Sequence, residues 1–339
     1  MSATNPHARG AGTGTGTGAL EKARVLRELT SEWGEPQEEV TCLMCGANDE
    51  ELVIESSDVL YGKPGLYRVV RCRACALAYV NPRPTFAALG AHYPDDYMCY
   101  QAPEADPTMF RGLSEAVARN LTRRRLVRLE KVIGRIPPEL ALADVGCGLN
   151  ALLEMIKNER GPVGTGIDVK ATMVERIKSQ LHMPAVLGTL KDAKLADASL
   201  DLVMMLEYLE HEANPSAVLA ESRRVIKTGG HIAIEIPHMT GRPARWFKNR
   251  WFNLDLPRHL VFFDPETLRR AFADNGFELV SYEPFAIPLN IGISVLFKVG
   301  GLNMARSTYA PLLAAALGVP FLPFQRFIPE FAFAVGRAV

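Results

Sequence analysis

The sequence predicts an α/β protein: a parallel sheet with helices on both faces, preceded by a small four-cysteine module and carrying an apolar helical insertion near its C-terminus. Three observations predict it. Apolar strand-like runs alternate with amphipathic stretches from Leu140 to Ile236, the pattern of consecutive βαβ units. Two Cys-x-x-Cys pairs fall inside a short turn-rich stretch between Thr41 and Pro84. Beyond Phe285 charge nearly vanishes, with only Lys298, Arg306, Arg326, Glu330 and Arg337 charged up to Val339. The 339 residues, 48% hydrophobic and 22% charged, suffice for about two domains and exclude wholesale disorder. Lys plus Arg and Asp plus Glu number 38 each; a chain built to grip phosphate backbones is normally basic, so no nucleic-acid partner is expected. The first residues hold no apolar run, and six cysteines are too few for a disulfide scaffold. The expectation is a cytoplasmic enzyme.

In chain order, residues 1–18 are rich in Gly and Thr and read as a flexible tail. Leu20, Ala23, Leu26 and Leu29 stand at helical spacing and predict a short helix over 19–33. Short strands are expected at 52–55 and 67–71, completing an N-terminal segment of 19–100. A connecting region, 101–137, carries a helix over 114–136 with Val117, Leu121, Leu126, Leu129 and Val132 as its apolar stripe. The run Arg123-Arg124-Arg125 on that helix reads as a solvated face. Pro137-Pro138 ends it and opens the main domain, 138–339. Strands are expected at 140–145, 163–169, 185–188, 200–206 and 231–236. They are followed by a loop with Trp246 and Trp251, a helix over 265–275 and a strand over 277–286.

Cys42-Leu-Met-Cys45 and Cys72-Arg-Ala-Cys75 are matched knuckles with 26 residues between them. Two such pairs let four thiolates converge on one tetrahedral ion, so Cys42, Cys45, Cys72 and Cys75 are expected to hold a structural zinc. In a module with little core, the metal supplies much of the folding free energy. Cys99 and Cys147 stand alone and read as plain buried thiols.

Ala143-Asp-Val-Gly146-Cys147-Gly148-Leu-Asn150-Ala151 follows an apolar strand and opens a helical pattern. Its glycines allow a tight turn and close approach to a ligand. The spacing also fits a dinucleotide fingerprint, and Asp168, 20 positions past Gly148, suits a ribose in either case. Asp144 favours the first of two readings: a carboxylate at the loop mouth repels pyrophosphate but attracts the ammonium and sulfonium charges of S-adenosylmethionine.

Together with these residues, the segments Tyr79-Val-Asn-Pro-Arg-Pro84, Tyr93 to Tyr97, Ser199-Leu-Asp-Leu-Val203, Glu207-Tyr-Leu-Glu-His211, Arg224-Val-Ile-Lys-Thr-Gly-Gly230 and Arg258-His-Leu260 carry a resemblance. From about 41 to 282 the chain resembles the class I S-adenosylmethionine-dependent methyltransferases, in the bacterial branch with an N-terminal zinc-ribbon-like segment. It departs from the usual pattern at Asn150, where a third glycine is common, and at Leu200, where Phe is. The resemblance implies a Rossmann-like seven-stranded methyltransferase sheet ending in an antiparallel hairpin, 277–286 with 331–338. It implies that Asp144, Gly146 and Gly148, with Cys147 between them, meet the methionine end of the donor. Asp168 and the adjoining Val169 would meet the ribose, Thr189 and Leu190 the adenine, and Met205 to Glu207 the floor beneath.

Methyl transfer needs alignment above all, and a base only where the acceptor must lose a proton. His211, His259 and His238 each follow a strand on the mouth side and are the candidate bases. Glu207, Glu210 and His211 also resemble the Glu-x-x-Glu-His cluster of ubiquinone-biosynthesis O-methyltransferases, which holds a divalent cation. Tyr93 and Tyr97 read equally as a substrate lid or as packing. The family points to a small-molecule acceptor, a sugar or natural-product or polysaccharide intermediate. The alternatives are a lipid or quinone-like acceptor, and an RNA methyltransferase with a zinc reader. The insertion, 288–328, is expected to cap the acceptor pocket and to touch a membrane surface or a second copy, leaving the protein peripheral to the membrane. A span is not expected, because the uncharged run 307–325 is broken by Pro311, Pro320 and Pro323.

Overall fold

In chain order, the N-terminal part comprises β1 (Val25–Thr30), β2 (Pro36–Val40), β3 (Glu50–Ser56), β4 (Tyr67–Cys72), β5 (Ala78–Val80), β6 (Arg83–Pro84) and the single-turn helix α1 (Phe86–Leu89). The structure, a computed structural model, describes residues 23–94, 97, 111–149, 151–162, 164–299 and 310–339. The expected tail, Cys99 and Asn150 lie outside them, as does the start of the helix expected over 19–33. The rest of that helix is corrected: 25–30 is a strand, β1, paired antiparallel with β2. The reversal between them is a tight turn in which Gly34 takes φ +84° and donates to the Ser31 carbonyl, while Ser31 Oγ accepts from Glu35 N. Pairing across that turn overrides a helical period of four residues that has no helix face to bury, since Val25 and Leu26 are exposed.

The main part continues with α2 (Arg111–Ile133), β7 (Leu142–Val145), α3 (Ala151–Arg160), β8 (Thr165–Asp168), α4 (Ala171–Gln180), β9 (Ala185–Leu187), β10 (Leu200–Leu206), α5 (Pro215–Val225) and β11 (Ile226–Pro237). Then come α6 (Arg242–Phe247), β12 (Val261–Phe262), α7 (Pro265–Asp274), β13 (Phe277–Phe285), α8 (Pro288–Val299), α9 (Ala310–Gly318) and β14 (Phe331–Ala338). Seven strands form one sheet in the order β13-β14-β11-β10-β7-β8-β9. β9, β8, β7, β10 and β11 run parallel, and β14 is antiparallel to both β11 and β13. The central strands read as unbroken apolar runs because both faces are covered; every residue of β7 is buried. Sharp starts come from capping. Asn214 accepts from Ala217 N ahead of Pro215, and Asp264 forms a reciprocal box with Thr267. The terminal hairpin forms where the resemblance put it, and the insertion between its strands holds α8, α9 and a 3₁₀ stretch, Val319–Phe324. Among the described residues no helix is long and apolar enough to cross a membrane.

The N-terminal part is joined to the main part through a second, four-stranded sheet. β12 pairs with β5, so the order β12-β5-β4-β3 contains a strand from beyond β11. Leu43, Leu77 and Tyr79 share one core with Val145, Val261 and Phe263. The Tyr79-to-Pro84 segment owes its composition to polar ties. Asn81 accepts from Val40 N (2.9 Å) and donates to Glu50, Tyr79 donates to Glu50 (2.6 Å), and Arg83 reaches both Glu38 and the Ala213 carbonyl, each at 2.8 Å. The strongest tie is Arg258. Its guanidinium, 0% exposed, meets Asp58 in a two-pronged pair (2.8 and 2.9 Å), Asp255 at 2.6 Å and the His92 carbonyl at 3.1 Å.

Removing one partner of such a pair strands the others in low dielectric. Arg258→Met is therefore expected to lower unfolding stability by about 3–5 kcal/mol, read as a fall in the urea midpoint at unchanged slope. A midpoint equal to that of the parent would show that this ion pair does not hold the two parts together.

Candidate functional site

At the carboxyl ends of β7 and β8 the chain builds a small cradle. Gly146 takes φ +67° and donates to the Ile167 carbonyl at 2.8 Å; a Cβ there would lie 2.2 Å from the Tyr208 ring. Gly148 takes φ +47°, with no other group closer than 3.9 Å to its missing Cβ. One glycine is thus required by packing and the other leaves open backbone. Asp168, at the end of β8, accepts from Gly148 N through one oxygen and from Lys170 N through the other, each at 2.8 Å. Asp144 lies alongside on β7. Both carboxylates are buried, and burial pushes Asp144 up to about 7 and Asp168 in the same direction. Asp168 opposes Asp144 as a like charge, and Arg125 supports it.

The remaining residues expected at the donor divide. Val169 and Thr189 are half-buried on the mouth side, Thr189 holding Asp192 through its amide and hydroxyl. The side chains of Cys147, Leu190 and Met205 are buried in the sheet cores, and burial pushes the Cys147 thiol up. Glu207 takes φ +55°, and its amide donates to the Glu235 carbonyl at 2.8 Å.

Arg125 departs from the expected solvated helix face. Arg123 and Arg124 are exposed, but Arg125 turns inward, bonding both oxygens of fully buried Glu235 (3.1 and 3.0 Å from Nε) and reaching Glu207 through Nη2. One guanidinium thus stands among Asp144, Glu207 and Glu235. Carboxyl groups outnumber the base at this mouth, and burial pushes Asp144 and Glu207 upward.

Past β10, a single tight turn carries Tyr208 over Gly146 and His211 toward the loop after α6. His211 and His259 stack edge to face, with ring centroids 4.6 Å apart. His211 Nδ1 lies 3.0 Å from the Arg258 carbonyl and 2.9 Å from the Tyr93 hydroxyl. A carbonyl only accepts, so this nitrogen bears the proton and Nε2 keeps its lone pair. Burial, aided by neighbouring His259, pushes His211 down to about 3 and keeps it neutral, Asp255 opposing. His259 Nδ1 donates to the Asn253 carbonyl at 2.9 Å, and its Nε2 lies 4.0 Å from Asp255. His238 stands apart from this pair, its Nδ1 against the Tyr282 hydroxyl at 2.7 Å. Tyr93 and Tyr97 pack edge to face, and Tyr97 donates to Asp255.

The acidic cluster also assembles differently from the pattern Glu207, Glu210, His211. Glu207 is engaged by Arg125, and ligating atoms of Glu210, His211 and His259 lie within 4.8 Å of one another. Glu210 is buried with neither carboxylate oxygen bonded, and burial pushes it well above the usual carboxylate range. Sequence reasoning passed over three more buried polar groups nearby. The Glu330 carboxyl is buried beside the Trp251 indole and the Ile287 backbone, and burial pushes it well above the usual carboxylate range. Asn253 Nδ2 has no partner among the described residues, while Asn253 Oδ1 accepts from Asn290. Glu330 carried a signal: it is the sole acid between Phe285 and Val339.

The four cysteines converge. Sγ atoms of Cys42, Cys45, Cys72 and Cys75 lie within 4.8 Å of one another, with Cys42–Cys75 at 3.4 Å and Cys45–Cys72 at 3.6 Å. Tetrahedral zinc with Zn–S near 2.3 Å has sulfur–sulfur edges of about 3.8 Å, so the donor set fits that ion. Both knuckles close alike. Gly46 N donates to the Cys42 carbonyl and Ala76 N to that of Cys72, with φ +75° and +67°.

The profile of the family described as methyltransferase domain matches residues 108–282, just over half of the chain. Among curated proteins, an uncharacterized 37.1 kDa protein in transposon TN4556 of Streptomyces fradiae is 36% identical over 107 residues, 30% of this chain and 31% of that protein. The ubiquinone biosynthesis O-methyltransferase of Maricaulis maris is 26% identical over 171 residues, 45% of this chain and 66% of the enzyme. The chain thus spans less than two thirds of the length of either relative. A solved S-adenosylmethionine-dependent methyltransferase from Archaeoglobus fulgidus superposes with a TM-score of 0.46 at 22% identity, covering 68% of this chain and 100% of that one. With the sheet order, the two-glycine cradle and the family match in agreement, the chain belongs to the methyltransferase-domain family.

Proposed function

We propose that this protein transfers a methyl group from S-adenosylmethionine to a small-molecule acceptor held beside His211 and His259. The observation that carries the reading is the pair of buried carboxylates, Asp144 and Asp168, flanking a loop with open backbone at Gly148. Two desolvated acids are relieved by a ligand that brings cationic charge and hydroxyl donors, and a pyrophosphate dianion would aggravate them. Asp144 faces the methionine end in this reading and Asp168 the ribose. When bound, the donor supplies an electrophilic methyl carbon on a sulfonium. His211 contributes a neutral imidazole with a free Nε2, fixed by the Arg258 carbonyl, to take the acceptor's proton. His259 supports it at ring-contact distance.

For the acceptor we propose a sugar or natural-product or polysaccharide intermediate, in line with the family resemblance. A second reading, a lipid or quinone-like acceptor, is favoured by the apolar insertion over the mouth and by relatives named ubiquinone biosynthesis O-methyltransferase. In that reading Glu210, His211 and His259 would hold a divalent cation that acidifies an acceptor hydroxyl. The four cysteines would hold zinc with no open position, a structural role.

Titration calorimetry is expected to show S-adenosylhomocysteine binding that weakens at least about tenfold in Asp168→Ala, the loss of roughly one charged hydrogen bond. Tight NAD binding with no response to S-adenosylhomocysteine would overturn the donor assignment. His211→Ala is expected to cut turnover by about 10²–10³-fold with donor affinity unchanged; unchanged turnover on a competent acceptor would remove the base. Metal analysis of the purified chain is expected to give about one zinc per molecule. The double variant Cys42→Ser, Cys72→Ser is expected to lose both the metal and thermal stability; stability equal to that of the parent would exclude a structural zinc.

A further inference from the structure

The insertion turns two faces to two surroundings. Inward, α8 buries Ile291, Ile293 and Leu296. It meets α9 so closely that a Cβ on Gly292 would fall 1.8 Å from the Ala314 carbonyl oxygen, and one on Gly318 2.2 Å from that of Pro288. Outward, large apolar side chains are left in water. Val299 is 74% exposed, Phe327 61%, Val319 57%, Phe324 55%, Trp246 49% and Leu322 48%. Lys298 Nζ donates to the Trp246 carbonyl and Arg242 to the Phe327 carbonyl, so the 242–250 stretch is tied to the insertion at both 298 and 327. An apolar face of this extent marks an interaction site.

The charges carried by these two segments have one sign. Arg242, Arg245, Lys248, Arg250, Lys298 and Arg326 are all exposed, and neither 241–254 nor 285–329 contains a single Asp or Glu. This concentration stands out in a chain whose overall charge is zero. A second copy of the same face would set these cations against one another, whereas anionic lipid headgroups would neutralise them. Long basic side chains beside Trp and Phe suit the boundary between headgroups and acyl chains, where the stems lie on apolar surface and the charges reach phosphate. The described helices are too short or too polar to span, so the surface would lie on the bilayer.

We propose that the outer face of the insertion, together with 242–250, docks on an anionic bilayer surface. Flotation of the full chain with vesicles tests it, using phosphatidylcholine alone and phosphatidylcholine mixed with phosphatidylglycerol. Binding is expected on the mixed vesicles, weak on the neutral ones and reduced by salt. Arg245→Gln with Arg250→Gln is expected to lower partitioning by about tenfold. Phe324→Ser with Phe327→Ser is expected to abolish it, while S-adenosylhomocysteine binding stays at the parent level in both variants. Should the Phe variant fail to fold, the Arg variant decides alone, since its changes lie on exposed side chains. Equal binding to both vesicle types, or none to either, overturns the proposal. So does a dimer seen by light scattering that disperses in the Phe variant, since a second copy would then occupy the face.

Discussion

The structure turns on one buried cation. Arg258 has no contact with water, yet it binds Asp58 from the stretch between β3 and β4, Asp255 from its own loop and the carbonyl of His92. Charge of this kind is a poor source of net stability compared with well-packed apolar side chains, but it is intolerant of misplacement. A guanidinium with a fixed fork must find both carboxylates at once. Closing that fork sets the N-terminal part on the sheet, closes the 255–258 turn and leaves the Arg258 carbonyl facing His211 Nδ1. The tautomer of the candidate base is thus decided by the same residue that joins the two parts of the chain.

A second constraint acts at the mouth of the sheet. Glu235 is fully buried and Asp144 nearly so, and both share Arg125 with Glu207. Three acids share one base in low dielectric, and burial pushes Asp144 and Glu207 toward their protonated forms, a penalty that a cationic ligand relieves. The left-handed backbone at Glu207 follows from this, since its amide must reach the Glu235 carbonyl while its side chain turns to Arg125. Strain at that residue and the charge arrangement share one cause.

The alternation of strands and helices from 140 onward was legible, because strands buried on both faces must be continuously apolar and their helices must not be. The closing hairpin was legible from the family resemblance. The β1–β2 pairing was not: its stability lies in partners at β2 and β6, and a local period cannot report them. Arg125 was misread for a related reason. Three successive arginines look alike in sequence, yet helical rotation sends them in different directions, and only the fold shows that the third meets Glu235. Asn253 and Glu210 acquire their meaning from what the loops bring near them.

In the proposed methyl transfer, the buried polar groups and the apolar insertion answer one chemical demand. When a deprotonated acceptor approaches a sulfonium, opposite charges are consumed on the way to products. Water, which solvates those charges well, opposes their meeting, and a dry site with fixed dipoles does not. Desolvation of His211, His259 and Asp255 supplies the dryness, while Asn253, held by Asn290 of α8 and by His259, links the insertion to the histidine pair with hydrogen bonds. At Gly292 and Gly318 the two helices of the insertion, α8 and α9, touch backbone to backbone, leaving no room for a side chain between them. In the proposed reading, an insertion packed this closely keeps water from the chemistry while its charged side chains, Lys298 and Arg326, stay exposed.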